Sequence, residues 1–150
     1  MDVEIDTVFV PVDGTDQSER AVEHALAIAQ RYDADVHVLH ITEEHVARGL
    51  EAGDIAADSV AEEHRAFMGA IREHVRNAGY EVSLSQSAAF GYSASSLSRH
   101  PVSVVLDAAD EVAADFLVVP RESAMNDPGA MLGRVAEYVL SYASQPVLSV

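Results

Sequence analysis

Few residues in this chain have both the type and the spacing to do chemistry. The first group is Asp13-Gly14-Thr15-Asp16, which directly follows the apolar run Thr7–Val12, TVFVPV. An acid in such a turn accepts hydrogen bonds, either from backbone N–H groups of the turn itself or from a ligand. The histidines are the second group. His37 and His40 are three apart in VHVLHI, which as a strand sends them to opposite faces, so they do not form a metal pair. His64 and His74, ten apart on a helical stretch, show no evident convergence, and His100 before Pro101 reads as a capping position. The third group is Gly91-Tyr92-Ser93-Ala94-Ser95. It has the outline of a nucleophile elbow but lacks the closing glycine and the strand-to-helix context, so it reads as an exposed loop.

The elements that position these residues follow from periodicity. Thr7–Val12 is short, β-branched and nearly all apolar, as in a strand covered on both faces. Pro11 near its end cannot donate to a ladder, which marks a strand about to leave the sheet. Asp16 with Glu19 has the spacing of a capping box, and Ala21, Val22, Ala25, Leu26 and Ala29 recur at helical spacing. Asp13 therefore sits at the carboxyl end of a central strand, where open α/β sheets bind ligands. Asp33–Asp35 is a turn and Val36–Ile41 a second buried strand. Thr42 to about Ala56 is acidic, carries Gly49 and Gly53, and reads as a loop.

From Ala57, the positions Val60, His64, Phe67, Ile71, Val75 and Ala78 make one helical face, and Gly79 stops the helix. Glu81–Ala89 alternates as a less buried strand near an edge. Phe90–His100 is a serine-rich loop. Pro101 opens a helix whose core positions are Val102, Val105, Leu106, Ala109 and Val112. Phe116–Val119 is a fourth strand, Pro120–Ala130 is irregular, Met131–Ala143 is a helix and Val147–Val150 a fifth strand. Alternating strands and helices imply an α/β fold, a parallel sheet with helices on both faces.

The 150 residues fit one domain over 1–150, and 49% hydrophobic content argues against disorder. There is no cysteine, which excludes disulfides, thiolate metal sites and thiol nucleophiles. Met1-Asp2-Val3-Glu4 is acidic, unlike a secretory leader, and no run reaches the ~20 apolar residues of a membrane span. A cytoplasmic location fits these features. Twenty-five acids oppose nine basic residues, all of them Arg, for a net charge of −16. Such a surface repels nucleic acid and anionic membranes. The absence of lysine together with this acidity reads as halophilic adaptation. It also excludes a lysine-bearing P-loop, and Gly14 standing alone after the first strand excludes the dinucleotide-binding fingerprint.

Three blocks carry a family resemblance: VFVPVDGTDQSERAVEHALAIAQRYDADVHVLHI, VLDAADEVAADFLVV and LGRVAEYVLSYASQPVLSV. Together they resemble the universal stress protein (UspA-like) family over nearly the whole chain, in order and at the right spacing. The resemblance implies a doubly wound five-stranded parallel sheet of order 3-2-1-4-5, and commonly a dimer. Many members bind ATP through Gly, two residues, Gly, nine residues, Gly and a hydroxyl. Here that spacing falls on Pro120, Ser123, Gly133 and Arg134, so one glycine remains and the hydroxyl is replaced. Pro120 has no N–H to offer a phosphate, and Glu122 and Asp127 add negative charge. The adenine-side positions match better, at Pro11, Val12 and Asp13, Ile41, Val119 and Val135.

The resemblance thus implies a non-enzymatic stress-response homodimer with a degenerate loop and no resident cofactor. The alternative is a sensor of ATP or AMP, or a weak nucleotide hydrolase on the same fold. A phosphorylated receiver domain has a lysine on its last strand, which this chain does not provide. The dimer contact is expected at Val147, Leu148, Ser149 and Val150, an apolar edge strand with no covering tail, which invites antiparallel pairing across a two-fold axis.

At −16 the chain repels itself at low ionic strength. The thermal midpoint is expected to rise steadily between roughly 0.1 and 2 M KCl, as the Debye length tightens from ~10 Å to ~3 Å or less. A midpoint that stays level across a calorimetric salt series contradicts this.

Overall fold

In the computed structural model of the chain, the strands form one parallel sheet of order β3-β2-β1-β4-β5. The structure describes residues 3–42, 44–90, 101–121, 136 and 139–150, without the side chains at 44, 45, 47, 90, 101 and 102. β1 (Thr7–Val12) is central, between β2 (Asp35–Thr42) and β4 (Phe116–Val119). β3 (Leu84–Phe90) and β5 (Val147–Ser149) are the edges. The sheet order and the α/β class are those the resemblance implies.

Residues of β1 and β2 are buried from Val8 to Val12 and from Val36 to Thr42, since helices cover both faces. The period of two along the strands separates the cores. On one face Val8, Val10, Val12, Val36 and Val38 meet Ala21, Val22, Ala25, Leu26 and Ala29 of α1 (Asp16–Tyr32) and Met68 and Ile71 of α3 (Ala57–Ala78). On the other, Phe9, Leu39, Ile41, Leu117 and Val119 meet Val105 and Ala109 of α4 (Pro101–Glu111), with Ala136 and Val139. The alanines of α1 leave little side-chain bulk between that helix and β1.

The first strand pair sets the site's level. Val12 is the Cα partner of His40, so β1 ends level with His40 and β2 runs two residues further, to Thr42. Pro11 lies inside β1 at the level of Leu39. The carbonyl of Thr7 accepts from the Asp115 amide beside β4, so odd positions of β1 turn their polar groups toward β4. The β1–β4 register is Val8 with Phe116 and Phe9 with Leu117, so the missing amide of Pro11 falls beyond that pairing. At the other end of β1, Asp115 Oδ2 accepts from the amides of Asp6 and Thr7 at 2.9 and 3.1 Å.

Three expectations need correction. The segment from Thr42 to Ala56 is not a loop, because Glu44–Ala52 forms α2. Gly49 is a contact glycine inside that helix, where a Cβ would run into the Ile55 side chain, and Gly53, at φ +79°, ends it. The N-cap of α1 is Thr15, one residue before Asp16. Thr15 is extended and its Oγ1 accepts from the Ser18 amide at 3.2 Å, so Asp16 is the first helical residue. On α3, Met68 is fully buried although it is absent from the expected face, while Ala78 is exposed. Gly79 caps α3 in the left-handed region as expected. Residues 91–100 and 122–135 lie outside the described residues, and with them the serine-rich loop and most of the phosphate-loop positions.

Candidate functional site

The turn after β1 is closed by side chains. Asp13 Oδ1 accepts from Thr15 Oγ1 and from Ser18 Oγ, each at 2.6 Å, and from the Thr15 amide at 3.2 Å. Ser18 Oγ in turn accepts from the Asp13 amide at 3.0 Å. Ser18 is wholly buried, so its hydroxyl needs these partners. Every bond to the Asp13 carboxylate uses Oδ1. Oδ2 has no hydrogen bond among the described residues.

Beside it opens a cavity of about 310 Å³ at the carboxyl ends of the first two strands. Val12, Asp13 and Gly14 supply its β1 side, and His40, Ile41 and Thr42 its β2 side. Helix α2 contributes Val46, and α3 contributes Val60, Glu63, His64 and Phe67. The topological position is the one where doubly wound sheets bind ligands, outside the strand ends.

Two histidines build the wall between β2 and α3. The rings of His40 and His64 stack with centroids 4.2 Å apart and planes 18° from parallel. Phe67 meets His40 edge-on at 5.9 Å. His40 Nε2 lies 3.0 Å from Gln86 Oε1 on β3. An amide oxygen only accepts, so this bond assigns the proton to Nε2 and leaves Nδ1 as the lone-pair nitrogen. Burial pushes the His40 imidazole down to about 4, with His64 adding to the shift and the Gln86 bond opposing it. His64 is also lowered by burial, against a smaller opposite pull from Glu63.

His37 points to the other face of the sheet, as the strand period requires. It stacks on Phe9 at 5.9 Å, and its two ring nitrogens lie 2.7 and 2.8 Å from the hydroxyls of Ser85 and Ser87. Burial lowers its pKa as well. Among the described residues no three of His, Cys, Asp and Glu are grouped to hold a metal ion.

A model of the universal stress protein family matches residues 4–150. The chain belongs to the universal stress protein family. A universal stress protein of Methanocaldococcus jannaschii is 25% identical over 146 residues, covering 95% of this chain and 80% of that one. A universal stress protein of Bacillus subtilis is 26% identical over 148 residues, covering 95% and 97%. Among solved structures, a universal stress protein in complex with cAMP superposes with a TM-score of 0.65 at 25% identity, over 98% of this chain and 97% of that one.

Of the family-derived site positions, Val12, Asp13 and Ile41 line the cavity and Pro11 precedes them on β1. Val119 and Pro120 are buried at the end of β4 and do not line it. Ser123, Gly133, Arg134 and Val135 lie outside the described residues. The sequence reading missed His40, His64, Glu63 and Phe67 as cavity residues. The signal available for His64 and Phe67 was their place on the apolar stripe of α3. Nothing in the spacing of His40 and His64 shows that the two rings meet.

The buried imidazoles make stability depend on pH. Each has a folded pKa below the ordinary 6.5, so below pH 6.5 the unfolded chain takes up protons first. Their contribution is full above pH 6.5 and falls away as pH drops toward about 4. For His40 this amounts to about 3 kcal/mol. His40→Phe keeps a ring in the stack and removes the titration. Urea unfolding in 2 M KCl from pH 7.5 to 4 is expected to show the wild type losing about 2–3 kcal/mol more than this variant. Parallel curves contradict it.

Proposed function

We propose that this protein is a non-enzymatic stress-response protein of the cytoplasm whose cleft takes a nucleoside monophosphate rather than ATP. The observation that carries the reading is the cavity at the ends of β1 and β2, with Asp13 Oδ2 left over from the turn network. Its volume of about 310 Å³ suits a small planar base with its sugar. The solved relative in complex with cAMP holds a ligand of this size class. The lining brings two carboxylates, Asp13 and Glu63, and neither Arg nor Lys, which suits a base better than a polyphosphate. Pro120, Ser123 and Arg134 at the family's glycine and hydroxyl positions support the same conclusion, because a proline gives no amide and an L-residue resists positive φ. Asp13 in a structural turn network supports binding without turnover.

The assembly we propose is a homodimer formed by antiparallel pairing of Val147–Val150 with a second copy. β5 is an edge of the sheet and its residues are half-buried. The acidic surface we read as adaptation to high salt.

Calorimetric titration in 2 M KCl tests the reading. AMP is expected to bind in the range of tens of micromolar and ATP more weakly than about 100 μM, roughly −5.5 kcal/mol. Asp13→Asn, which keeps an acceptor for Thr15 and Ser18, is expected to weaken AMP about tenfold, or ~1.4 kcal/mol. A micromolar constant for ATP, or no heat with AMP, contradicts the reading. Light scattering under the same conditions is expected to give twice the 16.1 kDa chain mass, and a monomer mass contradicts the dimer.

A further inference from the structure

Several side-chain groups in the cavity's lining accept hydrogen bonds. Asp13 Oδ2 has no partner among the described residues, Glu63 brings a second carboxylate, and Thr42 adds a hydroxyl that can serve either way. The most enclosed polar side chain in the lining is His40, at 4% exposure. Its Nε2 is committed to Gln86, and its Nδ1 has no hydrogen bond among the described residues. A buried lone pair left without a donor is costly, and such a group in a cavity wall marks where a ligand donor belongs.

We propose that His40 is a specificity-determining residue of this cleft, its free Nδ1 reading an amino N–H of the bound base, with His64 as the ring that holds it in place. This rests on the nucleotide reading of the cavity.

Three features make His40 a fixed reader. The Gln86 bond sets its tautomer, so the nitrogen left to a ligand accepts and does not donate. The stack on His64 at 4.2 Å and the edge contact with Phe67 fix the plane of the ring. Burial keeps the ring uncharged at ordinary pH, so Nδ1 stays a lone pair. A base with an exocyclic amino group supplies two N–H donors to such a wall. A base with a keto oxygen at the same place sets acceptor against acceptor and leaves the buried nitrogen unsatisfied. Sites built on a buried polar reader discriminate strongly against the analogue that cannot pair with it, more than apolar pockets do.

AMP and IMP differ at the 6-position of the purine, amino against keto, and with it at N1, an acceptor in AMP and an N–H in IMP, so the two present opposite donor and acceptor patterns to the wall. Each is titrated into wild type, His40→Phe and His40→Asn in 2 M KCl at pH 7.5. Phenylalanine keeps the stacked ring and removes the acceptor. Asparagine restores an acceptor near the place of Nδ1. Wild type is expected to favour AMP over IMP by at least about tenfold, ~1.4 kcal/mol. His40→Phe is expected to bring the two within about threefold, and His40→Asn to recover part of the preference. Equal binding of AMP and IMP by wild type, or a preference unchanged in His40→Phe, overturns the role of His40 while leaving the nucleotide cleft intact. Binding of neither ligand by folded wild type overturns the cleft reading and this inference with it.

Discussion

A single carboxylate oxygen holds the end of the central strand to the start of the first helix. Asp13 Oδ1 takes hydrogen bonds from two hydroxyls and one amide within five residues. One of those hydroxyls, on Ser18, is inside the core and has no access to water. Leaving it unpaired would cost on the order of 1–3 kcal/mol, so turn and helix are fixed together. α1 starts at Asp16 and lays its alanine face on β1, and β1 in turn is paired with β2 so that Val12 is level with His40. The cleft follows from the turn: it opens where β1 stops and β2 runs on past His40, and its spare acceptor is the oxygen the turn does not use.

The second constraint is placed on the histidines. A chain with a charge of −16 would stabilise cationic imidazoles at its surface, yet His37, His40 and His64 are pushed the other way by burial. The bonds of His37 to Ser85 and Ser87 and of His40 to Gln86 tie β2 to the edge strand β3 from both faces. On the cleft face the same arrangement yields a rigid, uncharged aromatic wall. Packing of the edge strand and character of the site are thus set by the same residues.

Much of the fold was legible because its signals are local. The apolar runs at Thr7–Val12 and Phe116–Val119, the alanine stripe of α1 and the Gly79 stop each fall where the sequence places them. The errors share a cause: residues read by type alone whose role is set by a neighbour. Gly49 looked like a breaker, but it lies within α2, where a Cβ would press on the Ile55 side chain and require it to shift. Asp16 looked like the cap because a carboxylate with Glu19 fits the pattern, whereas the preceding threonine reaches the Ser18 amide. In the site, Asp13 was legible from its place after a buried strand. The stack of His40 on His64 was not, since it depends on how α3 lies across β2, a distance of 24 positions along the chain that no periodicity encodes.

The central claim is that the cleft between the ends of β1 and β2 and helix α3 is where this stress protein meets its ligand. Amide chemical-shift mapping of the full chain in 2 M KCl, with AMP added stepwise, addresses it most directly. The account predicts saturable shifts concentrated at Gly14, Thr15, Ile41, Thr42, Glu63 and His64, with β3 and α4 moving little. Shifts that centre elsewhere on the fold, or none at millimolar AMP, would contradict it.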